Sequence, residues 1–155
     1  MDSKQRLTPA LVWEGAERPR IAPGEYTARC TDFQGPQWAI AFGSWKLRLE
    51  FALDPDDVKV SVFYALGENR STPHIGTRSK YYKDWVRANG GPPTHGQEMT
   101  PNVFLDPDLC FTVLVGDCTK DAENLEKHPA LVYSQVKKII EVKRLSTQED
   151  MQASG

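Results

Sequence analysis

Two alternating segments and the turn between them decide the fold: Trp45-Lys-Leu-Arg-Leu-Glu-Phe-Ala-Leu53, Asp54-Pro-Asp-Asp57 and Val58-Lys-Val-Ser-Val-Phe-Tyr-Ala-Leu66. Along each segment, apolar side chains alternate with charged or polar ones. A period of two is typical of a β-strand that has one buried face and one solvated face. Because Asp and Pro both favour tight reversals, the middle stretch reads as a turn. We therefore predict an antiparallel hairpin.

The alternation assigns the hairpin side chains to two faces. We expect the core face to carry Trp45, Leu47, Leu49, Phe51, Leu53, Val58, Val60, Val62 and Tyr64. The opposite face then carries Lys46, Arg48, Lys59, Ser61 and Phe63, with Glu50 among them. An aromatic ring is thus expected on a solvated face among cations.

The rest of the chain supplies three more strands and one helix. Residues 25–33 alternate after the Pro23-Gly24 turn signal, and Gln34-Gly-Pro36 is expected to end that strand. Helical periodicity covers 77–89, Thr100-Pro101 begins a short turn, and strands are predicted over 109–115 and 133–145. Trp38 to Phe42 is expected to be a short apolar connector or an extension of the first strand.

This element order predicts a fold that is all-β with one helix. It is the plan of a five-stranded OB-fold-like Greek-key barrel with the helix between strands 3 and 4, and a meander sandwich with one packed helix is the alternative. We divide the chain into an irregular N-terminal arm (1–22), which has an apolar patch at Leu7–Trp13, a barrel domain (23–145) and a flexible tail (146–155).

Composition excludes several classes of protein. The 155 residues carry 19 Lys+Arg and 21 Asp+Glu, so the net charge of −2 excludes a uniformly basic protein that coats nucleic acid. No apolar run approaches the roughly 20 residues of a membrane span, and the first residues do not resemble a signal peptide. Three cysteines, none in a C-x-x-C pair, favour reduced thiols and a cytoplasmic location.

Signs of catalysis, metal binding or cofactor binding are missing from the sequence. His74, His95 and His128 lie on three separate loops, without the short ligand spacing of a metal site. There is no Gly-x-Ser-x-Gly elbow and no glycine-rich phosphate loop. We therefore expect a protein that is not an enzyme and has no metal or cofactor.

Charge is segregated along the chain. Residues 70–87 hold five cations and one acid, interleaved with Tyr81, Tyr82 and Trp85. Cations that neutralise phosphates beside rings that stack on bases are typical of proteins that bind single strands. The predicted nucleic-acid-binding residues, with Trp38, Phe63 and Tyr82 as the stacking rings, are Arg29, Trp38, Lys46, Arg48, Lys59, Phe63, Arg78, Lys80, Tyr82 and Lys83.

Three alternatives stay open at this point. Phe63 could pack beneath the N-terminal arm, with the cations as ordinary solvated surface; if the face binds a ligand instead, the first strand adds Arg29 to it, and Phe33 could lie there too. Tyr81 and Trp85 could belong to the core instead of facing a ligand. The same barrel could dock a partner protein, because aromatic residues and arginines also dominate protein interfaces.

Several segments together resemble small OB-fold proteins of phages, plasmids and other mobile elements. They are Gly24-Glu-Tyr-Thr-Ala-Arg29, Trp45-Lys-Leu-Arg-Leu-Glu-Phe51, Lys59-Val-Ser-Val-Phe-Tyr64, the Ser-Lys-Tyr-Tyr-x-x-Trp helix and Val103-Phe-Leu105, within residues 24–144. The resemblance implies single-stranded-DNA binding in replication or recombination, with RNA as the other candidate ligand. We expect replication or recombination proteins as partners, no membrane association, and compatibility with a homo-oligomer. Bacterial single-strand-binding proteins usually end in an acidic peptide tipped by phenylalanine. Residues 148–155 of this sequence carry only two acids and no terminal aromatic.

Overall fold

The computed structural model describes residues 18–121 and 123–146. The apolar patch Leu7–Trp13 and all of the predicted tail except Ser146 lie outside these residues. The described elements, in chain order, are β1 (Gly24–Ala39), β2 (Ser44–Leu53), β3 (Val58–Ala65), α1 (Lys80–Asn89), a 3-10 turn (Pro101–Leu105), β4 (Leu109–Cys118), a second 3-10 turn (Pro129–Leu131) and β5 (Tyr133–Arg144).

All five strands form one antiparallel sheet in the order β3-β2-β1-β4-β5. The middle strand, β1, has two partners, because its first residues pair with β4 and the rest pair with β2. Ala28 belongs to both ladders, opposite Leu53 of β2 and Phe111 of β4. With α1 inserted between β3 and β4, this arrangement confirms the predicted fold class.

The predicted hairpin of β2 and β3 is present with its expected faces. Leu49 lies opposite Val62, and Phe51 lies opposite Val60. All four side chains are buried in the hydrophobic core, where Phe51 also contacts Phe111 of β4 edge to face. Trp45 is only partly buried, because it lies at the end of the hairpin and packs against the core from there.

β1 continues past Gln34-Gly-Pro36, where the sequence predicts its end. Register shifts at Cys30/Asp32 and at Gln34/Gln37 let the strand bend and go on to Ala39. Gly35 makes this possible: its φ is +103°, and a Cβ there would lie 2.7 Å from the carbonyl oxygen of Lys46. The first shift also reverses the alternation, so Phe33 packs against the core and not on the outer face.

Helix α1 begins and ends at residues that suit those positions. The hydroxyl of Ser79 accepts a hydrogen bond from the backbone of Tyr82, so the helix starts three residues later than predicted. Gly90 ends it in a left-handed conformation. Tyr81 and Trp85 are buried in the core, where Trp85 donates to the carbonyl of Thr100. The structure therefore assigns both rings to packing.

The sheet curls into a barrel-like shape that is not closed, since the described residues form no ladder between β3 and β5. Helix α1 bridges this opening. The amine of Lys80 donates to the carbonyl of Lys137 at 2.8 Å, and Arg87 donates to that of Ile139 at 2.9 Å. Both acceptors lie on β5, an edge strand, so the helix satisfies edge carbonyls while covering the core.

Candidate nucleic-acid interface

The solvated face of the β2–β3 hairpin, here called the outer face, places an aromatic ring beside a cation. Phe63 lies directly opposite Arg48 in the β2–β3 register, and 36% of its surface is exposed. Ser61 lies opposite Glu50, and Lys59 lies opposite Ala52. Because β2 and β3 pair without a bulge, alternation in the sequence placed all of these side chains correctly.

A cavity of about 100 Å³ lies between the outer face and the chain that crosses it, here called the hairpin groove. Backbone contacts position the far wall: Ser134 donates its N–H to the carbonyl of Pro19 at 2.9 Å, and Ile21 donates to the Ser134 hydroxyl at 2.8 Å. Among the lining residues are Arg18, Arg48, Glu50, Lys59, Phe63 and Tyr133. Arg18 and Tyr133 were not predicted, since only the fold brings them to the hairpin.

Cations outnumber acids in the hairpin groove. Glu50 accepts a 2.9 Å hydrogen bond from Thr31, and its carboxylate lies 4.0 Å from the amine of Lys59. Arg48 has no hydrogen-bond or ion-pair partner among the described residues, and its Nε is both buried and unpaired. A buried donor without a partner costs about 1–3 kcal/mol, so Arg48 is suited to an acceptor that the described residues do not supply.

A second cavity, of about 320 Å³, adjoins the first and shares Arg18 and Tyr133 with it. Two cations lie on the Tyr133 ring, with the Lys127 amine 4.0 Å and the Arg18 guanidinium carbon 4.6 Å from its centre. Burial, and then a hydrogen bond with Cys118, raise the pKa of Tyr133 to about 12.

Beyond the groove, the end of β1 and the turn to β2 carry a second group of rings and cations. Trp38 contacts Trp45 edge to face, and the guanidinium of Arg70 lies 5.3 Å from the centre of the Trp38 ring. The amine of Lys46 lies 4.5 Å from the centre of the Phe42 ring, which is 55% exposed. Phe42 was not predicted as a site residue, although its exposure follows from its position in a turn next to Gly43.

The four candidates on and before α1 form a separate group. Arg78 and Lys83 are exposed, and Tyr82 is half-buried. Lys80 has a structural role, because its amine donates to β5, and burial lowers its pKa. In the part of the chain that the structure describes, no hydrogen bond, ion pair or ring contact joins these side chains to the outer face.

Arg29 lies on the same side of the sheet as the outer face, opposite Ala52 of β2. Its guanidinium donates a 3.3 Å hydrogen bond to the carbonyl of Pro107. The side chain is exposed, so this contact leaves other donors of the guanidinium open to solvent. Arg29 can therefore extend the cationic surface of the hairpin toward β1.

Comparison with protein-family models and with curated proteins finds no match for this chain. Within residues 18–121 and 123–146, no three His, Cys, Asp or Glu side chains are grouped so that they could hold a metal ion. Over the same residues, no helix has the length and apolarity to cross a membrane.

Proposed function

We propose that this protein binds single-stranded nucleic acid, with DNA favoured over RNA, along the outer face of the β2–β3 hairpin, and that it catalyses no reaction of its own. The pair of Phe63 and Arg48 carries the proposal. The ring is partly exposed, and the guanidinium beside it has no described protein partner. Stacking on a base and pairing with a phosphate would satisfy both side chains.

The position of the pair in the fold supports the same conclusion. In OB-folds, the face of strands 2 and 3 and the loops beside it bind oligonucleotides. Here that face carries Lys46, Arg48 and Lys59, and the hairpin groove runs along it toward the loop between β4 and β5. A local cationic surface attracts phosphates even though the whole chain carries a net charge of −2.

A single strand suits this surface better than a duplex does. Base stacking on a side chain requires an unpaired base, because the bases of a duplex are already stacked on each other. Phe63 offers a ring on the outer face, whereas the half-buried Trp38 lies opposite Trp45, on the other face of the sheet. We further propose a role in the replication or recombination of a mobile element, in the cytoplasm, which the resemblance of element order supports.

Fluorescence anisotropy with labelled oligo-dT, an RNA of equal length and a duplex tests this function at two salt concentrations. We expect oligo-dT to bind, the duplex to bind much more weakly, and affinity to fall log-linearly with salt. A folded protein that binds no single strand at low salt would contradict the proposal.

One observation favours a second candidate, a protein-docking module. At the turn between β1 and β2, Ile40 is 87% exposed and Phe42 is 55% exposed. Neighbouring exposed apolar side chains are a feature of docking surfaces. Salt separates the two functions, because docking through an apolar surface lacks the steep salt dependence of phosphate binding.

A further inference from the structure

We propose that the hairpin groove is a seat for the terminal phosphate of a nucleic-acid strand, so that the protein recognises strand ends. This inference rests on the proposed function and narrows it. The groove differs from the rest of the outer face in three ways that bear on its ligand: its size, its charge and its unpaired donors.

Size is the first difference. The hairpin groove, at about 100 Å³, is about a third of the size of the adjoining cavity beyond Tyr133, which measures about 320 Å³. Because the groove is open to solvent, a phosphate group at the end of a strand can enter it while the base stays outside.

Charge favours a terminal phosphate over an internal one. Three cations, Arg18, Arg48 and Lys59, line the groove with a single acid, Glu50, so the lining has a formal charge of +2. A terminal phosphomonoester carries about −1.5 to −2 at neutral pH. An internal phosphodiester carries one negative charge. The monoester thus matches the charge of the groove more closely.

The unpaired donors match a group with several acceptor oxygens. Arg48 has no described partner, and the hydroxyl of Ser61 lines the same cavity. A guanidinium can bind two oxygens of one phosphate through parallel hydrogen bonds. Phe63 borders the groove as well, so the base of the terminal nucleotide can stack on its ring while the phosphate occupies the seat.

Mononucleotides test the seat without requiring strand binding. Thymidine 5′-monophosphate, thymidine 3′-monophosphate and thymidine are titrated into the isotope-labelled protein and followed by NMR. We expect one monophosphate to bind at least about tenfold more tightly than thymidine. A hydrogen bond to a charged group raises affinity by roughly one to two factors of ten. The better of the two identifies the 5′ or the 3′ end as the source of the phosphate.

Oligonucleotides test recognition of ends. Oligo-dT with a 5′-phosphate, with a 3′-phosphate, or with hydroxyls at both ends is compared by anisotropy with the label held internally. We expect about a tenfold advantage for one phosphorylated end, on the same reasoning. Arg48→Gln should abolish it. Lys143→Gln is the control and should keep the advantage, because Lys143 is paired with Glu141 on β5, outside the groove.

Each outcome decides the proposal. Equal binding of all three oligonucleotides overturns the seat and leaves strand binding standing. Tighter binding of a monophosphate that depends on Arg48, without binding of any oligonucleotide, shows a phosphate site in the groove but overturns both recognition of strand ends and the proposed function. An advantage that persists in Arg48→Gln overturns this location. If Arg48→Gln does not fold, Lys59→Gln gives the same test. The Lys59 side chain is half exposed, so its replacement should not unfold the protein.

Discussion

The phenol of Tyr64 donates a 2.8 Å hydrogen bond to Oδ2 of Asp84, and both side chains are buried where α1 meets β3. Burial raises the pKa of Asp84 above its ordinary value, although Tyr64, Arg87 and Lys80 act in the opposite direction. As pH rises, the unfolded chain therefore loses this proton before the folded chain does. The contribution of Asp84 to stability is full below the unfolded pKa and is lost as pH rises through the folded pKa.

Tyr64→Phe removes the donor to this carboxylate. We expect the free energy of unfolding at pH 7 to fall by about 1.5–3 kcal/mol, the range for a hydrogen bond to a charged group. The loss should shrink toward acid pH, where Asp84 becomes protonated. Urea unfolding at a series of pH values measures it. Tyr81→Phe is the control, because its hydroxyl donates to the neutral carbonyl of Met99. A loss for Tyr64→Phe that is independent of pH would contradict this account.

Leu49→Ala tests the core face of the hairpin. Leu49 is fully buried, so the lost burial and the cavity left behind should lower the free energy of unfolding by about 2–5 kcal/mol. Ile40→Ala also truncates an aliphatic side chain, but at an exposed turn, and should stay within about 0.5 kcal/mol of the parent. Chemical denaturation measures both variants. Similar losses in the two would mean that the faces of the hairpin are assigned wrongly.

Phe63→Ala tests stacking on the outer face. We expect binding of oligo-dT to weaken by about 1–3 kcal/mol, while the salt slope stays nearly unchanged because no phosphate contact is lost. Phe63→Trp keeps a ring in place and should preserve affinity. If Phe63→Ala instead lowers only the melting temperature, the ring serves packing beneath the N-terminal arm and is not a site residue.

Lys59→Gln and Lys80→Gln form a matched pair. Lys59 lines the hairpin groove, so its loss should reduce the slope of log affinity against log salt by about 0.7, the value for one phosphate contact on a single strand. Lys80 donates to β5. Its loss should lower the free energy of unfolding by about 0.5–1.5 kcal/mol and leave the salt slope unchanged. If Lys80→Gln reduces the salt slope and Lys59→Gln does not, the phosphate contacts lie on the helix and not on the hairpin.

The thiol of Cys30 should be protected in the folded protein. Burial raises its pKa to about 12, and alkylating reagents react with the thiolate. In a variant with Cys110→Ser and Cys118→Ser, we expect iodoacetamide to modify Cys30 slowly at about pH 8, and rapidly once urea unfolds the chain. Mass spectrometry follows the reaction. Rapid modification under native conditions would place this thiol outside the core.

The sequence predicts a strand well where the strand is regular and poorly where it bulges. β2 and β3 pair without a register shift, so alternation placed both Leu49 and Phe63 on their observed faces. β1 contains two register shifts. The first moves Phe33 to the core face, and the second carries the strand through Gly35-Pro36, a typical turn signal. Only the contacts of β1 with β2 determine where such shifts occur.

The candidate site also has a part that the sequence predicts and a part that it does not. Arg48, Lys59 and Phe63 follow from the alternation of the hairpin. The far wall of the groove does not, because Arg18 and Tyr133 are far apart in the sequence and meet through the contact of Ser134 with Pro19. The structural role of Lys80 depends in the same way on how α1 lies against β5.

The two partners of β1 have a consequence for how the protein is made. The ribosome completes β1, β2 and β3 early, and the second half of β1 can then pair with β2 at once. The first half pairs with β4, with Gly24 opposite Val115, so it must wait until most of the chain has been synthesised. During that interval, the nascent chain presents an unpaired strand edge beside apolar side chains, which is the kind of surface that aggregates or recruits chaperones.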